Sequence, residues 1–270
     1  MTIAITGASG QLGSLIVDHL LRRMRPDAFI ACVRCPDSAE RYGKMGVPVR
    51  LCDYDVPESL EHGFEGVSKL LLISSPHSDD AVRLRQHQQV IEAARKAKVK
   101  HLLYTSFAFL ENGSGSPVEL HRATEQAIRE STLSYTFLRN ALYIDFVGAL
   151  DLSGALMSGQ LRVPPGNWRF HSVTRSDLAE ATAILLSEEG HVGKTYELTA
   201  PQAWTFENLA AALSVQTGRE VVVQEDAAVQ GWIYSFLRRI DTASVSRDLE
   251  QLLNHAIQPL EKSLTPFIRA

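Results

Sequence analysis

The sequence has few features of a secreted, membrane or nucleic-acid-binding protein. Only three of its 270 residues are cysteine, too few for a disulfide framework. There are 27 Lys and Arg against 31 Asp and Glu, with a net charge of −4, so we expect no basic surface for nucleic acid. The longest apolar runs, such as Leu70 to Ile73, are far too short to span a bilayer. With no signal peptide expected before a first strand near residue 2, the predicted location is cytoplasmic, with no membrane partner.

Cys32 and Cys35 have the C-x-x-C spacing that redox and zinc sites use. However, Cys32 lies in an apolar run, Phe29 to Val33, that is typical of a strand, where residues three apart are separated by roughly 10 Å. A disulfide needs Cα atoms closer than about 7 Å. A zinc site would need a fourth ligand beyond Cys52, and none is obvious. We therefore expect neither a redox nor a metal site.

Short, mostly apolar runs alternate with helix-like segments in the first half of the chain. Their hydrophobicity alternates poorly, which is typical of strands buried on both faces of a parallel sheet. This order predicts an α/β fold, a Rossmann-type doubly wound parallel sheet. The predicted strands are Ile3 to Thr6, Phe29 to Val33, Val47 to Cys52, Lys69 to Ser74, His101 to Ser106 and Tyr135 to Leu138, and the predicted helices are Leu12 to Met24, Asp79 to Ala97 and Pro117 to Glu130.

After Leu138 the alternation changes, and a smaller α/β C-terminal lobe is expected. The predicted elements are a helix over Thr174 to Glu188, a strand over Thr195 to Thr199, a helix over Phe206 to Gln216 and a strand near Glu220 to Gln224. Thr205 and Gly218 suit the start and the end of the second helix. We place the main domain at residues 1–140 and a smaller lobe, which covers the carboxyl ends of the strands, at 141–270, with helix 174–188 packing back on the main domain.

The strongest chemical motif is the segment TGASGQLG, which joins the first predicted strand to the first predicted helix. Gly7, Gly10 and Gly13 give it the spacing G-x-x-G-x-x-G. Glycine permits a tight turn and a close approach of the backbone to a pyrophosphate, whose charge is met by free N–H groups at the helix N-terminus. A turn without a ligand is the alternative, but the position between strand and helix is the one that dinucleotide binding requires.

Arg34 follows the second predicted strand directly and favours NADPH as the cofactor. At this position an acidic residue would accept the ribose 2′-hydroxyl of NAD, whereas a guanidinium pairs with a 2′-phosphate. Asp27 precedes the strand and Asp37 lies beyond it, so neither replaces the acid. The alternative is a solvated arginine without a ligand.

Ser74, Ser75 and Pro76 follow the fourth predicted strand. Ligands of open α/β sheets bind outside the carboxyl ends of the strands. We therefore expect these three residues beside the phosphates or the nicotinamide ribose.

Together these motifs resemble the NmrA-like branch of the atypical short-chain dehydrogenases, in particular the triphenylmethane dye reductases and the NADPH-dependent quinone oxidoreductases. The resemblance runs through most of the chain and weakens after about Glu225, where this sequence looks shortened. The matching segments are ITGASGQLG near the start, VSKLLLISSPH from Val67, VKHLLYTSFAF from Val99, HRATEQAI from His121, YTFLRNALY from Tyr135 and SVTRSDLA from Ser172.

The resemblance implies which residues form the two sites. The family holds its cofactor with the glycine loop, the arginine after the second strand, the serines after the fourth and a Leu-Arg-Asn segment after the sixth. Those positions are Gly7, Ser9, Gly10, Gln11, Leu12, Arg34, Ser74, Ser75, Arg139 and Asn140. A small aromatic or quinonoid substrate is expected over the nicotinamide near His77, Tyr104, Phe107 and Tyr143, with core packing as the alternative for the aromatic rings. The oligomeric state is left open between monomer and homodimer.

The proton-donating pair of ordinary short-chain dehydrogenases is missing. Those enzymes use Tyr-x-x-x-Lys on the helix after the fifth strand, where the tyrosine protonates the developing alkoxide and the lysine lowers its pKa. His121 and Glu125 stand at those places. Reduction of a carbonyl to an alcohol therefore loses its usual acid, whereas a triarylmethyl cation needs no proton to accept hydride, and water can protonate the anion of a reduced quinone.

We therefore expect an NADPH-dependent reductase of such conjugated electrophiles, with no catalytic side chain. Catalysis would depend on holding donor and acceptor in near-attack geometry. A proton relay through His121 is weighed against a purely structural histidine. The alternative function is a non-enzymatic NADP(H)-sensing regulator of the NmrA type.

Overall fold

A computed structural model describes residues 2–268 and contains a seven-stranded sheet whose strands all run parallel. The strand order is β3-β2-β1-β4-β5-β6-β8, so the winding direction reverses between β1 and β4. This reversal defines a doubly wound Rossmann-type sheet and confirms the predicted fold class. The strands are β1 (Ile3–Ile5), β2 (Phe29–Val33), β3 (Val49–Leu51), β4 (Lys69–Leu72), β5 (His101–Phe107), β6 (Ser134–Asn140), β7 (Gln160–Val163), β8 (Thr195–Leu198) and β9 (Val222–Glu225).

Helices cover both faces of this sheet. On β1, Ile3 and Ile5 belong to a buried cluster with α1 and α7, whereas Ala4 between them belongs to a second cluster with α3, α4 and α5. Because both faces are buried, the strands show little alternation in sequence. The helices are α1 (Gln11–Leu20), α2 (Ala39–Lys44), α3 (Pro57–Gly63), α4 (Asp80–Lys96), α5 (Val118–Glu130), α6 (Leu152–Ser158), α7 (Arg175–Ser187), α8 (Phe206–Thr217), α9 (Trp232–Leu237), α10 (Asp248–Leu253), α11 (Leu260–Ser263) and α12 (Thr265–Ile268).

The chain returns to the main sheet after residue 140. Helix α7 packs on α1, and Leu178 and Leu185 share a buried cluster with Ile16. Strand β8 then pairs in parallel with β6, from Thr195 opposite Phe137 onward. The predicted strand at this place therefore completes the main sheet, which sequence alone does not reveal because its partner lies far away in the chain.

Helix α10 also packs on the main domain, against α7 and β8. The other C-terminal elements build the small lobe, in which β7 and β9 form a two-stranded parallel sheet. Its aromatic core includes Phe170, Trp204 and Phe206, with the first two ring centroids 4.8 Å apart. Helix α8 begins and ends as the sequence predicts. The Thr205 hydroxyl accepts from a backbone N–H in the first turn, and Gly218 has a left-handed φ of 66° at the end.

No helix within residues 2–268 combines the length and the apolar character that crossing a bilayer requires.

Candidate cofactor and substrate site

The carboxyl ends of β1, β2, β4, β5 and β6 meet at one edge of the sheet, where the order reversal opens a crevice. Gly7 follows β1, Arg34 follows β2 and Ser74 follows β4. Phe107 and Asn140 end β5 and β6 and lie opposite each other in register. The fold thus brings the predicted cofactor and substrate segments to one place.

The glycine loop is tightly folded. Gly7 has a left-handed φ of 59°, and its carbonyl oxygen accepts from the Gly10 N–H at 2.9 Å. A Cβ added to Gly13 would lie 2.2 Å from that same Gly7 oxygen. Glycine is therefore required at position 13 by the close packing of α1 on the loop.

The first turn of α1 presents free backbone donors. Gly10 is its N-cap and provides no side-chain cap, and the first turn contains no acidic residue. The N–H groups of Gln11 and Leu12 have no acceptor among residues 2–268. Ser9 and Gln11 are exposed beside them. Free amides at the positive end of a helix dipole fit a diphosphate, so this loop is suited to a dinucleotide.

Two tyrosines hold this loop in place, and sequence analysis did not identify one of them, Tyr42, as part of the site. The buried Tyr42 hydroxyl on α2 donates to the Ala8 carbonyl oxygen at 2.6 Å. The Tyr54 hydroxyl lies 2.5 Å from the Thr6 hydroxyl and donates to the Ile73 carbonyl oxygen at 2.8 Å. Burial raises the pKa of both phenols, which therefore remain hydrogen-bond donors. Neither residue lies in a sequence motif, because each contacts the loop from a distant segment.

Arg34 is exposed at the end of β2 and makes no ion pair or side-chain hydrogen bond within the described residues. A solvated guanidinium with no internal partner can pair with a phosphate at little cost. Its position therefore fits the 2′-phosphate of NADPH.

Ser74 and Ser75 differ in orientation, although both are predicted cofactor residues. Arg83 on α4 donates to the Ser74 hydroxyl oxygen at 3.0 Å, which leaves the Ser74 O–H free to donate to a ligand. Ser75 is 3% exposed, and its hydroxyl donates to Gln86. A side-chain contact between Ser75 and the cofactor is therefore not supported, because the hydroxyl is buried and already donates to Gln86.

The loop after Ser75 is open to solvent. Pro76 and His77 are exposed, and the Nδ1 atom of His77 accepts from the Asp79 N–H at 3.0 Å. The predicted contacts of Pro76 with the cofactor and of His77 with the substrate remain predictions.

Arg139, a predicted cofactor residue, is engaged by carboxylates within the chain. Its guanidinium donates to both carboxylate oxygens of Glu125 at 2.9 Å, and also to Glu111 and Glu197. The residue is 9% exposed. Because its donors are engaged by three carboxylates, a contact between Arg139 and the cofactor is not supported, and the residue joins β6, β8 and α5.

Asn140 differs from its neighbour. It is 2% exposed, and neither polar atom of its amide has a hydrogen-bond partner among the described residues, although the Tyr143 hydroxyl lies close by. A buried amide without partners is energetically costly and rare. Asn140 therefore fits a contact with a polar group of the cofactor.

The predicted substrate residues separate into two groups. Tyr104 is 0% exposed in the core between β5, α4 and α5, so direct contact with a substrate is not supported. Phe107 is half-buried and stacks on His121 with ring centroids 6.1 Å apart. Tyr143 is half-buried, with the Arg175 guanidinium 4.2 Å from its ring centre. Phe107 and Tyr143 stay candidates for the substrate wall.

Residues 7–189 match the NAD(P)H-binding family of protein domains, and the chain belongs to this family. The chain is 39% identical over 222 residues to quinone oxidoreductase 2 of Escherichia coli, a match that covers 82% of this chain and 77% of that protein. It is 34% identical over 226 residues to an NmrA-like family domain-containing oxidoreductase of Aspergillus flavus, covering 82% of this chain and 73% of the relative.

A solved structure shares the whole architecture. The Citrobacter sp. triphenylmethane reductase complexed with NADP(H) superposes with a TM-score of 0.91 at 40% identity, covering 99% of this chain and 100% of that one. The comparisons confirm the predicted resemblance, the oxidoreductase class and the nicotinamide cofactor. They favour the enzyme over the regulator.

Proposed function

We propose that this chain is an NADPH-dependent reductase that delivers hydride to conjugated electrophiles, such as quinones or cationic triarylmethane dyes, without a side-chain acid. The family membership supports a nicotinamide-dependent oxidoreductase, and the exposed Arg34 supports NADPH over NADH. The names of the relatives, a quinone oxidoreductase and a triphenylmethane reductase, support this class of acceptor.

The environment of His121 and Glu125 is the main support for a reaction without a side-chain acid. Glu125 is 1% exposed, and its carboxylate accepts from Ser106, Arg129 and Arg139. Burial, together with the charge of Arg83, holds the pKa of His121 well below its usual value, so the ring is neutral. Neither residue is suited to releasing a proton to an alkoxide. Acceptors that need no proton in the transition state are therefore favoured.

The chain's own contribution is to bind and orient. A bound reduced nicotinamide supplies the hydride. The amides of α1 bind the diphosphate and the Arg34 guanidinium binds the 2′-phosphate. Asn140 contacts a polar group near the nicotinamide. Phe107 and Tyr143 line the wall for a flat acceptor. Correct placement of two reactants accounts for about 7–11 kcal/mol of a barrier in well-oriented systems, so positioning alone is a sufficient source of catalysis.

A spectrophotometric screen tests the function. Purified protein is mixed with NADPH and a benzoquinone, a naphthoquinone, a cationic triarylmethane dye or an azo dye. We expect NADPH oxidation with the quinones and the triarylmethane dye, with bleaching of the dye in equal molar amount and a clearly slower reaction with NADH. Tight NADPH binding by calorimetry without turnover of any acceptor would contradict the proposal and support the cofactor-sensing alternative.

Arg34→Asp tests the choice of cofactor. We expect NADPH affinity to fall by about 10- to 100-fold, because a charged hydrogen bond contributes about 1.5–3 kcal/mol, while NADH affinity changes much less. Calorimetric titration with both cofactors measures the effect. Arg219→Asp makes the same change of charge at an exposed position before β9 and should alter neither affinity. Equal losses for NADPH and NADH in Arg34→Asp would show that the 2′-phosphate lies elsewhere.

A further inference from the structure

A buried tyrosine–histidine pair lies beneath Phe107, at the carboxyl end of β5. The Tyr104 hydroxyl oxygen and the Nδ1 atom of His121 are 2.8 Å apart. Tyr104 is 0% and His121 5% exposed. The Tyr104 hydroxyl also lies close to Ser74, which follows β4 at the crevice. The pair therefore borders the candidate cofactor site.

The surroundings of the pair decide which atom carries the proton. Burial raises the pKa of Tyr104, so its hydroxyl keeps its proton. The nearby Thr124 hydroxyl donates to the Leu120 carbonyl oxygen at 2.9 Å and makes its second contact with the Nδ1 atom of His87. Three groups lie near the Tyr104 hydroxyl, namely Thr124, Ser74 and His121, and the Nδ1 atom of His121 is the one in hydrogen-bond geometry, at 2.8 Å. Because a buried O–H group donates wherever it can, Nδ1 accepts, and the neutral ring of His121 carries its proton on Nε2.

The other edge of the His121 ring is not completely enclosed. Nε2 has no hydrogen-bond partner within residues 2–268, and it is not enclosed as the Nε2 atoms of His171 and His191 are. The small exposed part of this residue therefore includes an N–H group beside Phe107, which stacks on the same ring. The charged group that faces the ring is Arg83, and its other titratable neighbours, His87 and Tyr104, are neutral. The ring thus offers a neutral donor to a ligand.

We propose that the Nε2–H group of His121 donates a hydrogen bond to the carbonyl oxygen of a quinone substrate, and that Tyr104 is the positioning residue that fixes this tautomer. The inference rests on the proposed function. A quinone that accepts a hydride gains one hydrogen and two electrons and becomes a hydroquinone anion. The negative oxygen of this anion accepts the hydrogen bond, one proton from solvent completes the hydroquinone, and His121 keeps its own proton while NADPH becomes NADP⁺.

A comparison of quinone and triarylmethane dye as hydride acceptors distinguishes a hydrogen-bonding role of His121 from a purely structural one. Hydride transfer to a quinone creates a negative oxygen, whereas transfer to a triarylmethyl cation removes a positive charge and creates none. A neutral donor therefore stabilises the transition state of the first reaction only.

His121→Leu should reduce kcat/KM for a quinone by about 10- to 100-fold, at or below the usual loss for one donor to a developing oxyanion. Its kcat/KM for a triarylmethane dye should stay within about threefold, because no anion forms there. His121→Gln should restore most of the quinone activity, since a glutamine amide can place an N–H group near the position of Nε2.

Three controls accompany these variants. His101→Gln alters a histidine of similar burial, 6% exposed, at the amino end of β5, the strand that carries Tyr104, and should leave the ratio of quinone to dye activity unchanged. Tyr104→Phe should lower that ratio less than His121→Leu does, because the ring loses its fixed tautomer but keeps its place. Nitrogen-15 NMR of labelled wild-type protein should show His121 with its proton on Nε2, and Tyr104→Phe should show a mixture of tautomers.

Equal losses with quinone and dye in His121→Leu, unrestored in His121→Gln, would overturn the proposal and leave His121 as a packing residue. A wild-type ring protonated on Nδ1 would overturn it as well. Should wild-type protein oxidise NADPH with neither acceptor, the proposed function fails. The NMR measurement still decides the tautomer in that case, because it needs no turnover and no variant that might misfold.

Discussion

Replacing Gly13 with alanine is expected to reduce NADPH affinity by about 100-fold or more, which corresponds to the loss of two charged hydrogen bonds at the low end of their range. The new Cβ would stand 2.2 Å from the Gly7 carbonyl oxygen and 2.9 Å from the Ala8 Cα atom. Both are backbone atoms, so no side chain can swing aside to relieve the contact. The loop must separate from α1, and the amides that face the diphosphate move with it.

The same substitution should lower the free energy of unfolding by about 1–3 kcal/mol, as overpacking does in close-packed interiors. Calorimetric titration with NADPH measures the first effect and urea unfolding the second. Gly43→Ala is the matched control, because an added Cβ in α2 has no atom within 4 Å. It should be neutral or slightly stabilising and leave NADPH affinity unchanged. Wild-type affinity in Gly13→Ala would show that the loop is not the phosphate site.

Arg139→Met is expected to lower the free energy of unfolding by about 3–5 kcal/mol, the usual result of removing one partner of a buried ion pair. Glu125 is 1% exposed and would lose both of its 2.9 Å contacts with the guanidinium. Arg129 would still reach this carboxylate, but its own side chain is 40% exposed and compensates only in part. Glu197, whose pKa burial already raises, would lose its cation as well. Chemical unfolding at neutral pH measures the change.

A double variant distinguishes the effect of an unpaired buried charge on stability from the effect of losing the arginine side chain. Arg139→Met combined with Glu125→Gln should recover part of the lost stability, because the most deeply buried of the carboxylates is then no longer charged and unpaired. Arg95→Met, which removes an exposed partner of Glu92, should change stability little. If Arg139→Met has the stability of the wild type but binds NADPH more weakly, Arg139 contacts the cofactor, as the family resemblance implies.

The local features of this protein were predictable from sequence. Strand β2 has the predicted bounds, Phe29 to Val33, because an apolar run between polar segments specifies a buried strand without reference to distant residues. The glycine loop was predictable for the same reason. The left-handed φ of Gly7 and the close approach of Gly13 to the Gly7 carbonyl oxygen are both set within a few residues. The position of Arg34 after its strand placed it at the crevice, because all strands of a parallel sheet end on the same side.

Matching single residues to the family pattern was less reliable. Ser74 and Ser75 stand side by side in the sequence, yet the Ser74 O–H is left free by Arg83, whereas the buried Ser75 hydroxyl donates to Gln86. Tyr104 belongs to a matching segment but points into the core. Whether a residue at a strand end faces the crevice or the core depends on the helix that covers that face, and this is not encoded locally.

The amino-acid sequence by itself determined the parallel sheet, the glycine loop and the place of Arg34 after β2, because each depends on patterns only a few residues long. Tertiary structure alone decided that β8 completes the main sheet, that Arg139 is neutralised by carboxylates of three separate elements, and that the Tyr104 hydroxyl lies 2.8 Å from His121 Nδ1. The physical reason is that hydrogen bonds and ion pairs require contact in space, and the partners in these cases are brought together only when the helices pack on the sheet.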